Sequence, residues 1–371
     1  MSVKVNYVVG KPNVLDRNAF IECVKEILDS GIHTNDGPFV RALESFISRM
    51  ITTKYCLAVS NATIGLELVL QALSLSGEVI VPSFTFTATV HAIVRSGLKP
   101  VFCEVDARGQ IDCNHLESLI TKNTCCLLPV NLYGYTCNLD RLARIANQNN
   151  LPLIYDSAHA LGVRYKNQYI GSFGSAEVFS LHSTKFISGF EGGLIVTNSD
   201  MIAEAVKLLR NFGFVDYDKI DCLGTNGKLS EIHAAMALTN LKRMDELIEH
   251  NNTIYQTYKA AIASPLSLLG PLPEEYSNYQ YVVVLCPEKN REYILSKLWH
   301  EGVLARRYFY PGVHKMKPYE RLHSSLPATE QLANSVICLP TGLSVTISDA
   351  QKISKILNNA ANSFGLAPVG A

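Results

Sequence analysis

The chain has 371 residues, of which 47% are hydrophobic and 18% are charged, a balance typical of a packed globular protein. Its 33 basic side chains match 33 acidic ones, so nothing in the charge favours a nucleic-acid or membrane surface as partner. A chain of this length exceeds the size at which one core keeps growing, which predicts a large domain and a smaller one.

Short apolar runs alternate with amphipathic stretches along the first half of the chain. An amphipathic helix over residues 16–30 comes first, and its domain membership stays open. The alternation that follows predicts a mostly parallel sheet covered by helices. The predicted strands are 55–59, 78–81, 100–103, 125–130, 153–155, 177–180 and 193–196. The predicted helices among them are 63–75, 87–96 and 139–148.

The pattern changes beyond residue 230, where a long helix is predicted over 231–259. The Pro/Gly-rich segment 265–273 marks a boundary, and a strand over 280–285 and helices over 292–301 and 349–357 follow it. We therefore expect a large domain over residues 1–245 and a small α+β domain over residues 246–371. The N-terminal segment belongs to the first unless it packs on the second.

The cysteines and the N-terminus indicate a cytoplasmic protein. Ten cysteines are scattered without a CxxC pair or a His/Cys cluster at zinc-ligand spacing, so we expect reduced thiols and no metal. Cys125 and Cys126 are interpreted as buried structural thiols. The N-terminus lacks a signal peptide, and no segment approaches the roughly 20 apolar residues that span a bilayer.

Polar groups follow several predicted strands, where ligands of open α/β sheets bind. The turn over residues 60–63 opens a helix, so it is either a phosphate cup or an ordinary N-cap. Asp156 ends a strand, where it either holds a cationic heterocycle or caps the chain locally. Lys185 lies between hydroxyl residues and the glycine-rich segment 189–193, where glycine lets the backbone approach a ligand closely. Phe86 is either a ring that stacks on a planar ligand or a core residue. Together these groups fit pyridoxal phosphate.

At these residues the chain resembles the DegT/DnrJ/EryC1/StrS family of sugar-nucleotide aminotransferases, over about residues 31–344. The motifs that carry the resemblance occur in this order: TNDGPFVRALE, SNATIGLELVLQAL, GEVIVPSFTFTATVHAI, IYDSAHALG, FSLHSTKFISGFEGGLIVTN and LGTNGKLSEIHAAMALTNL. The resemblance implies an aspartate-aminotransferase-like α/β fold (fold type I). In that fold a large, mixed, mostly parallel sheet domain precedes a smaller α+β C-terminal domain.

The resemblance also implies roles for individual residues. Lys185 is the catalytic Schiff-base lysine, Asp156 pairs with the pyridinium nitrogen, and His159 bonds the ring hydroxyl. The remaining implied cofactor contacts are the stacking ring of Phe86 and the phosphate ligands Thr63, Ile64 through its backbone, and Ser180.

Two further groups of residues extend the implied site. The turn carrying Asn226 and Lys228 matches a loop that reaches the cofactor of a neighbouring subunit, which implies a homodimer with shared active sites. Arg306, Tyr308 and His314 are candidate substrate contacts, but a domain-interface role is equally open.

The nearest likeness within the family is to enzymes that aminate C-4 of a dTDP-4-keto-6-deoxyhexose, as in desosamine and lipopolysaccharide O-antigen biosynthesis. L-Glutamate is then the donor, and the gluco product is favoured. A C-3 keto-sugar aminotransferase of the family and a pyridoxal-phosphate enzyme acting by elimination stay open. The chain lacks the GxGxxG fingerprint of a Rossmann oxidoreductase, and the presence of Lys185, Asp156 and Ser180 argues against a non-catalytic sensor.

Overall fold

The computed structural model describes residues 5–322 and 325–363. The helices of this part are α1 (Arg17–Ser30), α2 (Pro38–Ile51), α3 (Ala62–Ala72), α4 (Thr87–Arg95), α5 (Cys113–Ser118), α6 (Leu139–Gln148), α7 (Asp200–Leu209), α8 (Glu231–Leu241), α9 (Met244–Ala261), α10 (Glu288–His300), α11 (Pro327–Ser335) and α12 (Ile347–Ser363). The strands of this part are β1 (Tyr7–Val8), β2 (Tyr55–Val59), β3 (Glu78–Pro82), β4 (Lys99–Cys103), β5 (Thr124–Leu127), β6 (Ile154–Asp156), β7 (Arg164–Tyr165), β8 (Gln168–Tyr169), β9 (Ala176–Ser180), β10 (Gly193–Thr197), β11 (Phe214–Asp216), β12 (Lys219–Ile220), β13 (Ser267–Leu268), β14 (Glu275–Tyr276), β15 (Val282–Leu285), β16 (Val303–Leu304) and β17 (Val336–Leu339).

A large mixed sheet dominates the first two thirds of the chain. Its strands follow the order β4, β3, β5, β6, β9, β10, β2, and single parallel bridges such as the one between Val130 and Asp156 join β5 to β6. Strand β10 is antiparallel to both of its neighbours, β9 and β2, whereas the other pairings are parallel. The carboxyl ends of six strands therefore meet at one edge, where the sequence predicts the site.

Alternate residues of the central strands face apolar clusters on opposite sides of the sheet. In β9, Phe179 belongs to one cluster and Val178 to the other, and Leu194 and Ile195 divide in the same way in β10. Helices cover both faces, which explains why these strands are continuous apolar runs in the sequence. Each fully buried side chain of this size stabilises the fold by about 1.5–3 kcal/mol.

The C-terminal part has an apolar cluster of its own, formed by residues between 254 and 361. Its antiparallel sheet has the order β13, β15, β17. The N-terminal segment joins this part, because β1 pairs in parallel with β16 and the Tyr7 hydroxyl donates to Asp349 at 2.6 Å. A boundary at residue 245 stays a prediction. No helix within residues 5–322 and 325–363 is both long and apolar enough to cross a bilayer.

The mixed, mostly parallel sheet confirms the predicted architecture, but two predicted elements are corrected. The helix predicted over 231–259 is two helices, α8 and α9. They separate at Arg243, where φ is −120° and ψ is 24° and the guanidinium donates to the carbonyl of Leu15 at 2.6 Å. The strand predicted over 125–130 ends at Leu127, and beyond it the chain meets β6 through a single residue pair. Cys126 is buried as predicted, whereas Cys125 is half-buried.

Candidate active site

A cavity of about 760 Å³ opens at the carboxyl-end edge of the large sheet. The predicted site residues that line it are Thr63, Ile64, Phe86, Asp156, His159, Ser180, Lys185 and Tyr308. These residues come from four strand ends and from a loop of the C-terminal part. The fold therefore brings together most of the side chains that the sequence singles out.

Lys185 lies on the loop that follows β9. The loop is held closed by backbone hydrogen bonds, among them Ser183 N–H to the Phe190 carbonyl at 2.8 Å. The Lys185 amine has neither an ion pair nor a hydrogen bond within the described residues. Burial lowers its pKa to about 8, against the opposing effect of the Asp156 charge. With this pKa, about a tenth of the amines are neutral at pH 7 and about half at pH 8. The neutral amine can act as a nucleophile or a base.

Asp156 ends β6 and is 5% exposed. The Thr89 hydroxyl donates to its Oδ2 at 2.7 Å, and the Ala158 N–H donates to its Oδ1 at 3.1 Å. Burial raises the pKa of this carboxyl, whereas the two hydrogen bonds and the charge of Lys185 lower it. A cationic ring N–H bound beside Asp156 would favour the ionised form further, so the site suits a protonated heterocycle.

His159 is buried in the same cavity and is neutral. Burial and the nearby Lys185 charge hold its pKa well below the usual range. The Tyr133 N–H donates to His159 Nδ1 at 3.3 Å, so the ring proton lies on Nε2. Tyr133 itself has a left-handed φ of 62°, an uncommon conformation for a residue with a side chain, and it directs this N–H. The imidazole is thereby fixed as a donor.

The turn before α3 has features that suit an anion. The first N–H groups of a helix have no partner within it and carry partial positive charge, so they attract phosphate. Asn61 caps α3, and its Oδ1 accepts the Ile64 N–H at 2.9 Å. The Ile64 N–H that the resemblance assigns to phosphate is therefore already bonded in this structure. A Cβ at Gly193 would come within 2.6 Å of the Asn61 backbone, so glycine there allows the turn to lie against β10.

Aromatic rings form one wall of the cavity. Phe86, which is 57% exposed, precedes α4, and its ring centroid lies 6.1 Å from that of Phe309. Phe309 in turn stacks on the His159 ring at 5.8 Å. Tyr281 also lines the cavity. Phe309 and Tyr281 were not among the predicted site residues, and they add a flat, apolar surface beside Tyr308.

The predicted residues Asn226 and Lys228 lie outside this cavity. Asn226 is exposed, and Lys228 lines a separate cleft of about 640 Å³. Their turn is attached to the turn before α3 of the same chain, because the Ser60 N–H donates to the Gly227 carbonyl at 2.8 Å and Val59 pairs with Lys228. Neither residue lines the cavity of its own chain, and their role toward another subunit stays a prediction.

Two of the three candidate substrate contacts also lie outside the cavity. Arg306 is exposed, and its backbone pairs with Cys338. His314 is buried, with Nδ1 hydrogen-bonded to the Ser83 hydroxyl and Nε2 lying 3.2 Å from Glu330. Because both ring nitrogens of His314 are engaged within the protein, the structure gives it a bracing position between β3 and the loop over residues 305–314.

The donor set fits pyridoxal phosphate in four respects. The helix start and adjacent hydroxyls suit a phosphate, and the buried carboxylate of Asp156 suits a protonated ring nitrogen. The neutral His159 offers an N–H to a ring oxygen, and the unpaired Lys185 amine is available to an aldehyde carbon. Residues Thr63, Ser180, Asp156, His159 and Lys185 would hold the cofactor, with an aromatic wall beside its ring.

Known proteins share this chain's sequence and fold over most of its length. The model of the DegT/DnrJ/EryC1/StrS aminotransferase family matches residues 15–358. The dTDP-4-amino-4,6-dideoxy-D-glucose transaminase of Shigella dysenteriae is 34% identical over 340 residues, which cover 90% of this chain and 93% of that protein. The Escherichia coli protein of the same name is 32% identical over 94% of this chain and 97% of its own length. The crystal structure of DesI in the presence of its TDP-sugar product has a TM-score of 0.92 and 37% identity, covering 96% of this chain and 93% of that one.

Proposed function

Because the chain belongs to the DegT/DnrJ/EryC1/StrS aminotransferase family, we propose that it transfers an amino group from L-glutamate to the C-4 ketone of a dTDP-4-keto-6-deoxyhexose. The gluco isomer of the dTDP-4-amino-4,6-dideoxyhexose is the favoured product. The observation that carries the proposal is the meeting of Lys185, Asp156 and His159 in one cavity beside the start of α3. The names of the two transaminase relatives and of the DesI structure support the choice of sugar.

The residues of the cavity divide the chemical work. When bound, pyridoxal phosphate supplies a conjugated ring that accepts the electron pair left when the amino acid loses its Cα proton. Asp156 holds a proton at the ring nitrogen through its ionised carboxylate, and the His159 Nε2–H donates to the ring oxygen. The Lys185 amine, with its pKa lowered to about 8, takes and returns the Cα proton at close range.

One incubation tests the reaction directly. Purified protein with pyridoxal phosphate, L-glutamate and dTDP-4-keto-6-deoxyglucose should yield an aminated sugar, and NMR coupling constants should place an equatorial amine at C-4. Lys185→Ala is the matched control and should leave no more than a trace of turnover. Amination of a 3-keto sugar alone, or loss of the amino group by elimination, would instead favour the alternatives that the sequence left open.

We further propose a homodimer whose active sites are shared. The segment over residues 212–223 exposes several large apolar side chains, including Tyr217 at 95% and Leu223 at 94%, directly before the Asn226–Lys228 turn. Exposed apolar side chains of this density mark interaction surfaces. We expect this segment to lie against the partner while Asn226 and Lys228 approach the partner's phosphate site.

Two experiments test the shared site. Leu223→Asp should shift the protein toward monomer in sedimentation velocity, whereas Leu343→Asp, at a leucine 43% exposed in the C-terminal part, should not. Lys185→Ala and Lys228→Ala proteins, mixed and reassembled at limiting cofactor, should recover activity, because one site of the hybrid then has both native lysines. No recovery in the hybrid would show that Lys228 serves its own chain.

A further inference from the structure

Two buried threonines are linked to the carboxylate of Asp156 by hydrogen bonds, and the first of them, Thr85, also lines the cavity. Thr85 follows β3, and Thr89 lies one turn further on, within α4; the two side chains are 1% and 0% exposed. Their hydroxyl oxygens are 2.9 Å apart, and Thr89 Oγ1 is 2.7 Å from Asp156 Oδ2. The three groups thus form a continuous chain that ends on the carboxylate facing the cavity.

The chemistry of the carboxylate fixes the direction of this chain. An ionised carboxylate only accepts hydrogen bonds, so the Thr89 hydroxyl must give its single proton to Asp156. The oxygen of Thr89 is then free to accept, and Thr85 donates to it. A hydroxyl that is itself a hydrogen-bond acceptor becomes a stronger donor, so Thr85 strengthens the bond from Thr89 to Asp156.

The other hydrogen-bond partners of the Asp156 carboxylate leave it free to accept a further bond from the cavity side. The Ala158 N–H bonds to Oδ1 from the local turn, while Thr89 bonds to Oδ2 from a different element. Lys185 is the charged group that acts on Asp156 within the described residues. Bonds from two sides prevent rotation of the carboxylate, and its remaining lone pairs are available to a ligand in the cavity.

We propose that Thr89, oriented by Thr85, is a positioning residue that holds Asp156 ionised and correctly turned to bond a cationic ring nitrogen. This inference rests on the proposed cofactor site and deepens it. Without the Thr89 hydroxyl, a buried carboxylate loses a charge-assisted hydrogen bond and can rotate away from the ring. The effect should reach the ligand through its ring nitrogen and through no other atom.

The test compares two ligands on the full-length protein. One is pyridoxal phosphate, and the other is its analogue in which a CH group replaces the ring nitrogen. Dissociation constants for both are measured by fluorescence quenching with wild type, Thr89→Val, Thr89→Ser and Thr85→Val. Thr87→Val is the matched control, because Thr87 is a half-buried residue of α4 that does not line the cavity.

Thr89→Val should weaken pyridoxal phosphate binding by about tenfold to a hundredfold, the range for a hydrogen bond to a charged group, and leave the analogue unchanged. Thr89→Ser should restore binding of pyridoxal phosphate to about threefold of wild type, and Thr85→Val should show a smaller loss. Equal losses for both ligands, or no loss for either, would overturn the inference. If wild type itself bound no pyridoxal phosphate, the proposed function would fail instead.

Discussion

The buried carboxyl of Glu177 offers a sharp test of the electrostatics beneath the site. Glu177 lies in β9 and is 1% exposed. Its Oε1 accepts hydrogen bonds from the Ser157 hydroxyl and, at 3.2 Å, from the Asn131 amide, while Oε2 has no hydrogen-bond partner within the described residues. Burial raises the pKa of Glu177 from 4.5 to about 7, although these bonds and the nearby Gly171 N–H oppose the shift.

The sign of the effect follows from proton binding. The folded state holds this proton more tightly than the unfolded state, so the free energy of unfolding falls as pH rises from 4.5 to about 7. A difference of this size corresponds to about 3 kcal/mol, at 1.36 kcal/mol per pKa unit. Glu177→Gln keeps an acceptor for Ser157 and Asn131 but does not titrate. We therefore expect the variant to gain about 3 kcal/mol over wild type between pH 4.5 and pH 8.

Urea unfolding of the cofactor-free protein, followed by circular dichroism at several pH values, measures this difference. Subtracting wild type from variant cancels the titration of the other groups. Glu204→Gln, at an exposed residue of α7, serves as the control and should stay within about 0.5 kcal/mol of wild type throughout. A difference between Glu177→Gln and wild type that does not change with pH, or a variant less stable than wild type at pH 8, would refute the reasoning.

Three further predictions concern the site and its supports. The rate at which free cofactor attaches to Lys185, measured by stopped-flow absorbance, should rise as the pH passes through about 8, because only the neutral amine reacts. A rate that does not change between pH 7 and pH 9 would contradict this. Glu231→Ala should lower the free energy of unfolding by about 2–3 kcal/mol in urea, since the buried Glu231 carboxylate accepts two N–H groups at the start of α2, and Glu231→Gln should cost less. Asn278→Ala removes hydrogen bonds of 2.9 and 3.0 Å to the carbonyls of His159 and Leu161. We therefore expect weaker cofactor binding, measured by fluorescence. An unchanged affinity would show that His159 needs no such support.

The central strands could be predicted because helices cover both faces of the sheet, so these strands are largely apolar on both sides. Runs such as β9 and β10 are buried on both sides, so hydrophobicity alone marks them. The direction of β10 could not be predicted, because an apolar run has the same pattern whichever way the strand runs. The separation of α8 from α9 was missed because it depends on a contact between Arg243 and Leu15, which are far apart in sequence.

In the site, too, the residues marked by their position next to a strand could be predicted, whereas those that act through contacts distant in sequence could not. Lys185 and Asp156 could be predicted because each directly follows or ends a strand and carries a distinctive group. Thr89 was overlooked because a threonine within an amphipathic helix resembles any other, and its partner lies 67 residues away. Two threonines four residues apart after a strand are a weak signal that only the tertiary contact makes specific. His314 illustrates the reverse, since this candidate substrate contact is buried within the protein rather than lining the cavity.

The bond from Ser60 to Gly227 has a consequence for the proposed dimer. The turn that would reach across to the second subunit is hydrogen-bonded, through its Gly227 carbonyl, to the turn proposed to bind phosphate in the first. We therefore expect a ligand that orders one turn to restrain also the segment that carries the lysine of the other site. The two halves of the assembly should fill cooperatively rather than as independent copies, and an equilibrium titration of the dimer should show a Hill coefficient different from one.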